Sequence, residues 1–149
     1  FVNLGFGGAG KAEPEVVALV NEIEAACFVL DLGKSYGRQP DAVYGEMLDT
    51  IRQKHPSAPI VCVTPIFSTR EFYEADYRDL STHVRDVMRR AARERRDKGD
   101  ARLQLIEGLD LLGAGDADMF HEGVHPTDLG YERMATRLEP ALRKALGLE

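Results

Sequence analysis

Three short apolar runs, each paired with a helix-length stretch whose apolar residues recur every three or four positions, decide the fold class. The runs are Cys27 to Leu32, Pro59 to Thr64 and Arg102 to Ile106. The first two carry apolar residues without alternation, as a strand covered on both faces does. Between them Asp41 is placed to cap a helix with Tyr44, Met47, Leu48 and Ile51 inward, ending near His55-Pro56. After the loop from Ile66 to Phe72 comes a long helix with Tyr77, Leu80, Val84, Val87, Met88 and Ala91 inward. Its other face carries Arg89, Arg90, Arg93, Glu94, Arg95 and Arg96, a mixed-charge face expected in solvent rather than on a phosphate. Strands alternating with helices predict an α/β domain with a mainly parallel sheet and helices on both faces.

The ends of the chain extend this pattern. Phe1 to Leu4 reads as the tail of a strand, followed by a glycine-rich turn from Gly5 to Gly10. Pro14 suits a first helical position, and Val16, Leu19, Val20 and Ile23 carry that helix to about Ala26. Gly33 to Pro40 and Gly108 to Gly115 read as loops. Asp128 to about Leu146 is the closing helix, with Thr127 or Asp128 as its N-cap and a kink or restart expected at Pro140. A domain seldom starts inside a strand, so residues upstream of Phe1 are expected in a longer polypeptide.

Charge and composition narrow the partners. A net charge of -6 over 149 residues argues against nucleic acid or an acidic membrane surface as the main partner. No apolar run approaches the ~20 residues that a membrane span requires. Cys27 and Cys62 sit in strand-like runs without metal spacing, and read as buried free thiols.

In a parallel sheet the site forms at the carboxyl ends of the strands. Those ends bring together Gly5–Gly10, Gly33–Gly37, Pro65–Arg70 and the loop carrying Glu122 and His125. Glu122 stands three residues before His125, where a carboxylate can hold an imidazole in one tautomer while it acts as a general base. Gly5 to Lys11 has the spacing of a phosphate-binding loop, but Ala12 stands where a metal-binding hydroxyl is needed. Gly33-Lys34-Ser35-Tyr36-Gly37 has the formal spacing of a nucleophile elbow. Arg38-Gln39-Pro40 then intervenes where a helix should begin directly after the serine. His55, His83 and His121 read as surface or helix-face residues, and Asp31 as a partner of neighbouring backbone.

A third reading joins the two ends of the chain. Asn3-Leu4-Gly5-Phe6-Gly7-Gly8, Leu30-Asp31-Leu32-Gly33 and Gly123-Val124-His125-Pro126-Thr127-Asp128-Leu129-Gly130 follow one another as in the SGNH (GDSL-type) hydrolases. The chain resembles that family over essentially its whole length. The resemblance implies a three-layer α/β/α sandwich of flavodoxin-like form and serine-dependent hydrolysis of small O-acyl esters, with no metal or organic cofactor. It places an oxyanion amide at Gly8 and the general base at His125. The family's asparagine falls on Ser35 and its aspartate on Glu122. The Gly-Asp-Ser block that supplies the nucleophile would precede Phe1, so its strand is expected from upstream residues of the same polypeptide. The substitutions at positions 35 and 122 motivate a second expectation, a degenerate member that binds a carbohydrate or acyl ligand without turnover.

Overall fold

The computed structural model describes residues 1–148. Three parallel strands, β1 (Phe28–Leu30), β2 (Ile60–Val63) and β3 (Leu103–Ile106), lie side by side in chain order. Phe28 pairs with Ile60, and Ile60 with Leu103, so the strands start level, and β1 ends one residue before the other two. Helices α1 (Pro14–Asn21), α2 (Asp41–Lys54), α3 (Ala75–Asp97), α4 (Gly108–Leu111) and α5 (Asp128–Leu146) surround them. No helix among the described residues is long and apolar enough to cross a membrane.

The period of two along β2 sorts the layers. Ile60 and Cys62 point into a core with Phe28, Leu30 and Leu103 from the sheet, Val17 from α1, Leu48 and Ile51 from α2, and Val84 and Met88 from α3. Val61 and Val63 point the other way, onto Leu111 of α4 and Met134, Leu138, Leu142 and Ala145 of α5. All four side chains of β2 are at most 1% exposed. Burying each apolar side chain of this size contributes about 1.5–3 kcal/mol, which is why this central run was the plainest strand in the sequence. Helices thus cover both faces of the parallel sheet, as expected. On the α5 side, however, β1 is less well covered, and Val29 remains 45% exposed.

Several local expectations are corrected. Phe1 to Leu4 forms no strand; it is an exposed segment whose Asn3 side chain accepts from the Gly5 N–H. β-structure requires a ladder partner, and that segment has none in the sheet. α1 stops at Asn21, five residues short, and the two following amides close on Leu19 and Val20 carbonyls. The N-cap of α2 is Pro40; Asp41 is the first helical residue and makes no side-chain cap. Gly33–Tyr36 and Ala114–Met119 are 3-10 turns, and Gly108–Leu111 is helical rather than loop. Pro140 sits inside α5 without ending it, since the flanking Leu138 and Leu142 anchor both sides to the sheet. His55 is buried, not on the surface: its ring lies 4.8 Å from Phe28 and Nε2 is 3.1 Å from the Asn21 carbonyl. Cys62 is buried and Cys27 half-buried, both free.

Candidate active site

The His125 loop is a closed turn built by its own backbone. Phe120 and Pro126 form an antiparallel bridge, and the His121 N–H donates to the His125 carbonyl at 2.7 Å. At the far end Thr127 caps α5, its Oγ1 accepting from the Gly130 N–H at 3.2 Å. The Thr127 N–H and hydroxyl both donate to the Met119 carbonyl, which welds the turn to the helix that follows. Gly123 stands at the tip with φ of 86°. A Cβ there would also lie 2.3 Å from Thr69 Oγ1, so glycine is required twice over.

Within this turn Glu122 Oε1 meets His125 Nδ1. That hydrogen bond lowers the Glu122 pKa, outweighing the smaller effect of desolvation. An ionised carboxylate can only accept, so Nδ1 carries a proton, and in the neutral ring that tautomer puts the lone pair on Nε2. The imidazole is 73% exposed and therefore accessible to a substrate. A carboxylate on Nδ1 of an exposed imidazole is the contact that a general base and its orienting group would make.

The turn is moored from β2. The Ser68 hydroxyl and the Thr69 N–H both donate to the Gly123 carbonyl, at 2.7 and 2.8 Å. Ser68 in turn opens the 3-10 turn Thr69–Phe72 through a capping box with Glu71. The Glu71 carboxylate, 7% exposed, accepts the Ser68 N–H and a two-pronged pair from Arg85 of α3 at 2.8 and 2.9 Å. The same guanidinium donates to the Pro65 and Ile66 carbonyls, so one buried cation fixes the whole exit of β2.

Burial works to raise the Glu71 pKa, and the hydrogen bonds and charge of Arg85 outweigh it, so the folded value lies below the ordinary 4.5. The stabilisation from this carboxylate is complete above pH 4.5 and is lost as the pH falls through the folded value. Urea-unfolding midpoints of the parent are therefore expected to drop below pH 4.5 more steeply than those of Glu71→Gln, which has nothing to titrate there. Equal acid slopes in the two proteins would contradict this assignment.

Ser35 lies in the 3-10 turn Gly33–Tyr36 that leaves β1, half-buried. Gly8 lies in an exposed turn with φ of 67° and open space where a Cβ would project. That turn approaches the chain just beyond β1 at Gly10, where a Cβ would come within 3.2 Å of the Leu32 carbonyl. The structure therefore brings Glu122 and His125 into direct contact and places Ser35 just beyond the end of β1, with Gly8 in a turn that approaches the same exit through Gly10. Asp31, at that exit too, has its pKa raised by desolvation and partly drawn back by the Gly33 N–H, the backbone role expected of it. His83 is half-exposed on α3 and His121 exposed. Sequence reading missed Ser68, Glu71 and Arg85. The Ser68–Glu71 spacing was a readable capping box, whereas a buried arginine on a basic helix left no signal.

With the site in view, the comparisons with known proteins decide the family. Residues 1–143 match the GDSL-like lipase/acylhydrolase family. The chain belongs to that family. A search of curated proteins finds no match. Among solved structures, a protein described as a GDSL-like lipase from Bacteroides ovatus shares 28% identity with this family member at a TM-score of 0.86. The likeness covers 99% of this chain and 44% of that one. A salicylyl-acyltransferase from a tetracycline biosynthetic pathway follows at 22% identity and a TM-score of 0.76, over 93% of this chain and 42% of that one. A carbohydrate esterase family 3 protein from Talaromyces cellulolyticus has 15% identity and a TM-score of 0.64, over 97% and 70%. These last two likenesses establish the shared fold. The chain spans less than half the length of the first two structures it matches.

Proposed function

We propose that this GDSL-family domain is the histidine-bearing part of a serine-type ester hydrolase that removes small O-acyl groups, its nucleophile supplied by a strand upstream of Phe1. The pairing of Glu122 with Nδ1 of an exposed His125 carries the reading. β1 is a border strand of the sheet among the described residues, and its outer side offers the place for the upstream strand.

In this mechanism Nε2 of His125 takes the proton of the upstream serine as its oxygen attacks the acyl carbon. The carbonyl oxygen gains the negative charge, and the Gly8 N–H and the Ser35 hydroxyl donate to it. Collapse expels the alcohol, which receives the proton from His125. A water then repeats the sequence on the acyl-enzyme, releasing the acid and restoring the serine. Glu122 holds the imidazole orientation throughout and stabilises its cationic form. No resident metal or organic cofactor enters these steps.

The test is where the acyl group rests. Rapid quenching of the full-length polypeptide during p-nitrophenyl acetate turnover, followed by peptide mass spectrometry, should find acetyl on a serine upstream of Phe1. Acetyl on Ser35 would replace this reading with an elbow at Gly33–Gly37. Ser35→Ala is expected to lower kcat by about 10²–10³, the usual cost of one oxyanion donor. Unchanged kcat in that variant would remove Ser35 from the site.

A further inference from the structure

Lys34 and Glu71 have no part in that chemistry, yet they connect its two halves. Lys34 immediately precedes Ser35 in the turn leaving β1, and its Nζ lies 3.3 Å from Glu71 Oε1. Both side chains are largely buried, at 13% and 7% exposed. Glu71 also receives the Ser68 N–H, and Ser68 Oγ donates to the Gly123 carbonyl between Glu122 and His125. A continuous path thus runs from the Ser35 turn through Lys34, Glu71 and Ser68 to the His125 turn.

We propose that Lys34 and Glu71 are positioning residues that hold the Ser35 turn and the His125 turn in register. The proposal rests on the hydrolase reading of the site. A structural role alone accounts poorly for Lys34. The Arg85 fork already occupies both Glu71 oxygens, so the carboxylate is neutralised without the lysine. Desolvation, with the nearby Arg85 cation, outweighs the attraction of Glu71 and lowers the Lys34 pKa to about 8. A charge held at such a cost is commonly replaceable by an apolar side chain with no loss of stability, and sometimes with a gain. The Tyr77 ring, 5.3 Å from Nζ, would accept the methionine side chain on the same side. What an apolar replacement cannot do is tie Ser35 to the Gly123 mooring.

The experiment uses Lys34→Met and Lys34→Arg in the full-length polypeptide. Lys34→Met is expected to keep or raise Tm while lowering kcat for p-nitrophenyl acetate by up to about 10²-fold, with KM unchanged. Lys34→Arg, which can still reach Glu71, should recover most of kcat. Hydrogen exchange in residues 119–127 should be faster in Lys34→Met than in the parent. Unchanged kcat, unchanged exchange, or a Tm that falls in step with kcat would each overturn the proposal. A parent without His125-dependent hydrolysis would sink the hydrolase reading instead, and the exchange comparison would still decide whether Lys34 tethers the two turns.

Discussion

His125→Ala in the full-length polypeptide is expected to lower kcat for ester hydrolysis by up to about 10⁴-fold, the upper range for a positioned general base. The side chain is 73% exposed and its imidazole meets Glu122, so its loss opens no cavity and leaves no buried partner unpaired. Urea midpoints should accordingly match the parent, so that the lost turnover reports chemistry rather than folding. Glu122→Gln should show much of the same loss. An amide can donate to Nδ1 and select the tautomer with its proton on Nε2, where a base must have a lone pair. Parent-like turnover in His125→Ala would end the reading of this turn as catalytic.

The largest expected effect on stability is at Gly108, where α4 begins. A Cβ there would sit 2.0 Å from the Thr64 carbonyl oxygen and 2.6 Å from both the Ile66 nitrogen and the Pro65 carbonyl carbon. These are backbone atoms at the exit of β2, which the Arg85 guanidinium fixes in turn. The Gly108 N–H also donates to Thr64 Oγ1 at 2.8 Å, so the two strand exits cannot separate without breaking a buried hydrogen bond. Gly108→Ala should cost about 3 kcal/mol or more, the severe end of overpacking. Gly115→Ala is the control: its Cβ meets nothing within 4 Å, and a change within about 0.5 kcal/mol is expected. Equal urea midpoints in the two variants would show that the strand exits yield far more than their hydrogen bonds allow.

Much of this was legible beforehand because it rests on local pattern. The fully apolar β2, the stripes of α2 and α3, the extent of α5, and the Glu122–His125 spacing are each properties of fewer than about thirty consecutive residues. What escaped depends on partners distant in sequence. Phe1 to Leu4 has strand composition, yet composition cannot supply a neighbour to pair with. His55 looked like a polar helix end; Phe28 and the Asn21 carbonyl, more than twenty residues upstream, draw it inside. The Lys34–Glu71–Arg85 cluster joins three elements, and no single window contains it. Pro140 marks the opposite error, a local rule overridden by packing on either side of it.

The open side of β1 bears on how the domain behaves when produced alone. Phe28-Val29-Leu30 contains no proline, lysine or bulge, the devices that keep a sheet border from templating another chain. Two copies of the isolated domain could each extend the other's sheet there, an isologous contact that closes as a dimer, whereas β1 of one copy against β3 of the next would grow without closing. The upstream strand proposed to lie there would satisfy those backbone groups and remove the template, so it would guard the sheet against self-association as well as carry the nucleophile.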